Sequence, residues 1–84
     1  MKRYFVTFRS VTYAQRGESV LRGAGIPCTL QRTPRWMEEQ GCGYCLVFRS
    51  RDAAGGVQLL RQRQVAFRKI YGQQESGEIR EVEL

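Results

Sequence analysis

An internal repeat is the feature of this sequence that most constrains its fold. When the chain is aligned with itself, Val6-Thr7-Phe8-Arg9-Ser10 falls on Leu46-Val47-Phe48-Arg49-Ser50, and Tyr4 falls on Tyr44. In both copies large apolar residues alternate with other residues, which is typical of a strand with one buried face. The serine that ends each segment is a preferred helix N-cap. Each copy therefore predicts a strand followed by a helix.

Small and apolar residues recur at helical spacing after each of these strands. In the first copy they are Ala14, Gly17, Val20, Leu21 and Ala24, with a helix end near Gly23 and Gly25. In the second copy they are Ala53, Ala54, Val57, Leu60 and Gln64. A further candidate strand follows each helix, at 26–32 and at 65–71.

The resulting element order is βαββαβ. Parallel strands need crossover connections, and right-handed crossovers place both helices on the same face of the sheet. The sequence thus predicts an α/β (α+β) fold, a ferredoxin-like βαββαβ sandwich with a four-stranded antiparallel sheet and two helices on one face.

The alternation also predicts what each face of the sheet presents. The helix-covered face takes Tyr4, Val6, Phe8, Tyr44, Leu46 and Phe48. The other face takes Phe5, Thr7, Arg9, Cys45, Val47 and Arg49. We expect this second face, half apolar and partly basic, to be exposed and able to dock a partner or a second copy of the chain.

Length and charge divide the chain unequally. A chain of 84 residues supports one core, and we predict a single domain at 1–71 followed by an acidic tail at 72–84 with no clear period. Residues 1–71 carry 13 Lys and Arg against 4 Asp and Glu, whereas the tail carries one Arg and four Glu. A basic body predicts anionic partners, although scattered arginines also simply keep a protein soluble.

Several classes of function are excluded or disfavoured by composition. The chain has no histidine, so neither a Cys-His pair nor a Ser-His-Asp triad can form within it. No apolar run has the length of a signal peptide or a membrane helix, which predicts a cytoplasmic protein without membrane contact. The odd number of cysteines, three, predicts thiols instead of a disulfide framework.

Cys42 and Cys45 have the Cys-x-x-Cys spacing shared by redox dithiols and half zinc sites. A structural zinc ion takes four ligands, and Cys28 is the only further cysteine, so we predict no metal and no cofactor. Cys42 stands between two glycines before a strand, where its thiol is accessible and neighbouring backbone N–H groups can hold an anion. Cys45 lies within that strand. Its side chain either packs in the core or acts as the resolving thiol for Cys42.

A resemblance rests on the residues around Cys42. An Ala-Gly-Ile-Pro segment at 24–27, Pro34 and then Cys42-Gly43 before an apolar strand resemble the small bacterial family of selenium/sulfur (Se/S) carrier protein-like domains. The resemblance covers about residues 3–71 and implies that Cys42 and Gly43 form the carrier site. Cys42 would hold sulfur or selenium as a persulfide-type adduct, and the partners would be donor and acceptor proteins.

A carrier thiolate needs cations nearby, because they lower the thiol pKa and attract anionic partners. Arg9 at the end of the first strand and Arg35 in the connection before Cys42 are the candidates for anion or partner binding. Arginines facing only solvent are the alternative for each.

An RNA-binding or protein-binding module without chemistry is the alternative for the whole chain. Ferredoxin-like sheets with aromatic residues on the first and third strands bind RNA, and residues 41–45 are similar to the core of that motif. However, Cys42 stands where the motif has its first stacking aromatic residue, and Phe5 is the only aromatic residue expected on the open face. A homodimer formed through the sheet is a further possibility.

Overall fold

The computed structural model describes residues 2–37 and 43–84, which form an α+β structure of two helices and one antiparallel sheet. The helices are α1 (Val11–Gly23) and α2 (Ala53–Gln62). The strands are β1 (Arg3–Thr7), β2 (Thr29–Arg32), β3 (Tyr44–Arg49), β4 (Ile70–Gln73) and β5 (Ile79–Val82). Short 3-10 turns lie at Arg35–Met37 and Ser50–Asp52. The strands β2 and β4 are shorter than predicted and begin later.

The strand order in the sheet is β2-β3-β1-β4-β5. The predicted number of four strands is therefore wrong, because β5 forms within the segment expected to lack regular structure. A tight turn makes β5 possible: Gly77 has a φ of +96°, and the Gln74 N–H donates to the carbonyl of Glu78 at 2.8 Å. The strand β4 runs across the predicted boundary at residue 71.

The two helices begin differently. The Ser10 hydroxyl accepts hydrogen bonds from the backbone N–H groups of Thr12 and Tyr13, which confirms the predicted N-cap of α1. Ser50 instead begins a 3-10 turn, and α2 starts at Ala53 without a side-chain cap. The prediction that the second helix starts at Ser50 is thus wrong by one turn.

The two helices end alike. After α1, Gly25 has a φ of +80° and the Ile26 N–H donates to the carbonyl of Leu21 at 2.9 Å. After α2, Gln64 has a φ of +58° and the Val65 N–H donates to the carbonyl of Leu60 at 2.9 Å. Both are Schellman ends, in which a left-handed residue satisfies the last carbonyls. The repeat thus extends from the strands to the helix ends.

The helix-covered face of the sheet matches the prediction and holds the larger core cluster. Three of its fully buried members are Val6 on β1, Phe8 directly after β1 and Leu46 on β3. They pack with Leu21, Val57 and Leu60 of the helices. The helix α1 comes close to the sheet at Gly17, where an added Cβ would lie 3.0 Å from Leu46 Cδ1. A glycine at this position therefore sets the distance between α1 and the sheet.

The second face holds a smaller cluster, and the expectation that it is exposed is wrong. Phe5, Cys45, Val47 and Tyr71 are at most 5% exposed and pack together, with Ile79 of β5 against them. Because the tail supplies Ile79, the sequence pattern of residues 1–71 could not reveal this packing. The burial of Phe5 also counts against RNA stacking on this face, since a base needs an exposed ring.

Candidate functional site

Gly43, the residue that follows Cys42, is fixed by the sheet. Its backbone has a φ of +86°, a left-handed conformation that glycine adopts without strain. Its carbonyl accepts a hydrogen bond of 2.9 Å from the N–H of Thr33, the residue after β2. Gly43 is buried. Cys42 itself lies outside the described residues. The structure describes the residue that follows it in the chain, Gly43.

Four strand ends meet at this side of the sheet, which we call the Gly43 end. Thr7 at the end of β1 pairs with Cys45 near the start of β3. Arg32 at the end of β2 pairs with Tyr44. On the other side of β1, the Lys69 N–H donates to Thr7 Oγ1 at 3.1 Å, directly before β4. The Gly43 end thus gathers residues that are distant in sequence.

Cys45 lies inside this arrangement and has no exposed surface. It packs in the second cluster with Phe5 and Val47. A residue with this environment contributes to the core directly. The burial favours the packing role that the sequence analysis left open for Cys45.

The two predicted cations, Arg9 and Arg35, are both exposed and both flank the Gly43 end. Arg9 lies two residues beyond Thr7 and lines a small cavity of about 90 Å³ with Tyr13 and Phe67. Arg35 begins the 3-10 turn two residues after Thr33. Their role as anion-binding residues near Cys42 remains a prediction.

Two aromatic contacts also frame this region, one of them between Trp36 and Tyr71, which the sequence analysis did not single out. The Trp36 side chain is 58% exposed and meets the Tyr71 ring edge-on, with 5.7 Å between ring centroids. The Arg32 guanidinium lies over the Tyr44 ring at 5.5 Å from its centroid. The contact of Trp36 places the 3-10 turn Arg35–Met37 against Tyr71 on the second face of the sheet.

Arg68 is a further residue of this region that the sequence analysis did not single out. Its backbone N–H donates to the carbonyl of Thr7 at 2.8 Å, which places it beside the end of β1. Its side-chain Nε and Nη1 atoms are shielded from solvent and have no hydrogen-bond partner. No sequence pattern marks this, since Arg68 is one of many arginines in a basic chain.

One known protein family matches most of this chain. The family model described as "Putative Se/S carrier protein-like" matches residues 3–72. The chain belongs to this family. The match confirms the suspected resemblance and runs from β1 into β4, so that it includes Cys42, Gly43 and both helices, whereas β5 lies beyond it. No curated protein and no solved structure matches the chain.

Cys28, the remaining cysteine of this Se/S carrier-like chain, lies far from Gly43 along the sheet. It precedes Thr29, which pairs with Val47, whereas the Gly43 end is at the opposite end of the same ladder. Cys28 is 7% exposed. Burial raises the pKa of its thiol, against a smaller lowering effect from the hydrogen bond and charge of Arg22. A protonated, buried thiol is a poor nucleophile.

Within residues 2–37 and 43–84 of this Se/S carrier-like protein, no group of three or more Cys, Asp or Glu residues is arranged to hold a metal ion. No helix in this part of the chain is long and apolar enough to cross a membrane.

Proposed function

We propose that the protein carries sulfur or selenium as a persulfide-type adduct on Cys42. Membership of the Se/S carrier-like family over residues 3–72 is the observation on which this proposal rests. The backbone at Gly43 supports it, because a buried, hydrogen-bonded residue directly after Cys42 holds one side of the cysteine's attachment to the sheet. A fixed attachment lowers the conformational cost of presenting a thiol to a partner.

The proposed transfer is an exchange between two thiols. The Cys42 thiolate attacks the terminal sulfur of a donor persulfide, R–S–SH. A new S–S bond forms at Cys42, the bond between the donor's two sulfur atoms breaks, and the donor leaves as a thiolate with the bonding electron pair. No net oxidation occurs, so the step needs no cofactor. An acceptor thiolate then removes the terminal sulfur from Cys42 in the same manner.

The flanking arginines have a defined part in this proposal. Arg9 and Arg35 attract the anionic donor and acceptor and stabilise the Cys42 thiolate through their charge. Cys45 supports the strand from within the core. The exposed edge of the site is then formed by Trp36 and the two arginines.

Fold and location follow as parts of the same proposal. The order β2-β3-β1-β4 with both helices packed against the cluster of Val6 and Leu46 supports a ferredoxin-like unit, to which β5 adds a strand. Cys42 accepts sulfur only as a free thiolate, and a reducing compartment keeps cysteine thiols from being consumed in disulfides. We therefore propose that the protein works in the reducing cytoplasm.

Thiol accessibility is the first test of the proposal. In the native protein we expect iodoacetamide to label Cys42 at least tenfold faster than Cys28, because Cys28 is buried and its pKa is raised. Peptide mass spectrometry after short labelling times measures both rates. Denaturant should abolish the difference, which serves as the control. Equal native rates, or protection of Cys42, would contradict the carrier proposal.

A further inference from the structure

Two arginines lie directly opposite each other on neighbouring strands of the sheet. Arg3 begins β1, Arg49 ends β3, and the two residues pair in the antiparallel register. Side chains of directly opposite residues leave the same face of a sheet, with their Cβ atoms about 5 Å apart. Like charges at this spacing repel each other. An anion placed between the two guanidinium groups would turn this repulsion into attraction.

The contacts of the two arginines draw their charges apart. Arg3 Nε donates to Gln73 Oε1 on β4 at 2.6 Å, and its guanidinium lies over the Phe5 ring, 5.1 Å from the centroid. Arg49 Nη2 lies 3.4 Å from Asp52 Oδ2. This distance exceeds the roughly 2.7–2.9 Å of a charge-assisted hydrogen bond. The partners of Arg3 are thus neutral groups, and the carboxylate beside Arg49 is loosely held.

A cavity of about 350 Å³ borders both arginines. Pro27, Thr29 and Val47 also line it. Thr29 pairs with Val47, so its side chain leaves the same face of the sheet as that of Val47 and, by alternation, that of Arg49. Arg3, Arg49, Pro27 and Thr29 are exposed, which makes the cavity accessible from solvent. It therefore offers two guanidinium groups and a hydroxyl group to a ligand.

The wall of this cavity is held in place without a ligand. Arg22 Nη2 donates to the carbonyl of Cys28 at 2.9 Å, which ties the segment between Pro27 and Thr29 to α1. The ring of Pro27 restricts its own φ, and Thr29 is fixed by its pairing with β3. A ligand that enters a formed cavity does not have to order its walls, and this favours binding.

We propose that this cavity binds a small phosphate monoester, with the phosphate group between Arg3 and Arg49. Guanidinium groups match phosphate oxygens with paired, charge-assisted hydrogen bonds. A phosphate monoester is close to doubly charged at neutral pH, so that it offsets both arginines. The cavity has more than ten times the ~30 Å³ of one water molecule, so it holds more than a phosphate group. Pro27 and Val47 supply the apolar contact for the organic part.

This site is separate from the proposed carrier site. Arg49 lies six residues beyond Gly43 along an extended strand, a separation of about 20 Å. No cysteine chemistry takes part in the binding. The Cys42→Ser variant should therefore bind a phosphate monoester as the unaltered protein does, so that failure of sulfur loading and failure of phosphate binding are recognised separately.

Inorganic phosphate and phenyl phosphate are the probes. Each is titrated into the protein at constant ionic strength, with chloride as the replaced anion, and backbone amide resonances are followed by NMR. We expect saturable shifts at Arg3, Thr29 and Arg49, with phenyl phosphate bound at least threefold more tightly than inorganic phosphate. Absence of saturable shifts at these amides would overturn the proposal. Equal affinities for the two probes would overturn the assignment to a phosphate monoester.

Variants separate this site from general attraction to a basic protein. Arg3→Gln and Arg49→Gln should each weaken phenyl phosphate binding at least fivefold, because each removes guanidinium donors. Asp52→Asn should strengthen it, because the Asp52 carboxylate competes for Arg49. Arg16→Gln makes the same charge change at an exposed position of α1 and should bind as the unaltered protein does. Equal weakening by all three arginine variants would overturn the proposal.

A carboxylate of the chain itself is the competing occupant of the cavity. Glu38 and Glu39 lie outside the described residues, so their double replacement by glutamine tests them directly. We expect this double variant to bind phenyl phosphate with the affinity of the unaltered protein. Binding by the double variant alone would show that one of these glutamates occupies the cavity and would overturn the proposal.

Discussion

Gly43 combines a backbone that only glycine adopts easily with a position directly after Cys42. Its φ of +86° and its buried hydrogen bond to Thr33 place a structural demand on this residue, independent of any chemistry at the thiol. The sequence shows that residue 43 is a glycine, but it does not show that the backbone φ at this residue is positive. Cys42-Gly43 was therefore recognisable as a motif from the sequence, whereas the reason for the glycine was not.

Replacement of Gly43 tests this demand. We expect Gly43→Ala to lower the free energy of unfolding by about 1–2 kcal/mol, because alanine is strained at positive φ. Urea denaturation measures the change. Gly25→Ala is the matched control: its φ is also positive, at +80°, and an added Cβ meets nothing within 4 Å, so it should show the backbone cost alone. A Gly43→Ala protein as stable as the original would contradict the assigned conformation.

The buried thiol of Cys28 links stability to pH. Its pKa is raised by burial, so above the ordinary value of 9.0 the unfolded chain loses a proton that the folded chain keeps. The contribution of Cys28 is fully present below pH 9.0 and decreases as the pH rises toward the folded pKa. The stability of the unaltered protein should thus fall more steeply from pH 8 to 10 than that of Cys28→Ala. Parallel slopes in urea denaturation would exclude this linkage.

At the scale of elements, the repeat predicted the faces of β1 and β3 correctly because alternation is a local property of a strand. The repeat predicted the structure wrongly in two cases: where two segments share a sequence signal but fold differently, and where a strand has no periodic pattern. Ser50 resembles Ser10 in sequence, but its turn winds as a 3-10 segment before α2 begins. The alternation predicts an exposed second face, and it does so wrongly because Ile79, which packs against that face, comes from a strand without a clear period.

Two helix glycines provide a test at this scale. At Gly17 of α1, an added Cβ would lie 3.0 Å from Leu46 Cδ1 of the sheet and 3.3 Å from Leu60 Cδ2 of α2. At Gly55 of α2, an added Cβ would have nothing within 4 Å. Gly17→Ala should destabilise the protein by about 1–3 kcal/mol through overpacking. Gly55→Ala should stabilise it by about 0.5–1 kcal/mol through helix propensity. The same sign of change at both positions would refute the packing described for α1.

For the whole molecule, the acidic tail is part of the sheet. Glu81 pairs with Lys69 of the basic body, and Ile79 packs against the second cluster. The sequence showed the charge contrast between body and tail, but a pairing between distant segments leaves no local pattern. The boundary predicted at residue 71 remains a prediction that truncation can test.

Two truncations separate the contributions of β4 and β5. A chain ending at Gln74 keeps β4 and loses β5, and we expect its free energy of unfolding to fall by about 2 kcal/mol as apolar contacts are lost. A chain ending at Tyr71 also loses the pairs of Gly72 with Tyr4 and Gln73 with Arg3, and should be less stable still. Urea midpoints compare the two. Full stability of the shorter chain would confirm the boundary at 71 and contradict a supporting role for the tail.

The central claim concerns one sulfur atom on one residue. Incubation with a cysteine desulfurase and L-cysteine, followed by non-reducing peptide mass spectrometry, locates any added sulfur. The account predicts the mass of one extra sulfur atom on the peptide containing Cys42, its removal by dithiothreitol, and no gain in the Cys42→Ser variant. Unmodified Cys42, or sulfur added equally to Cys28, would contradict the claim.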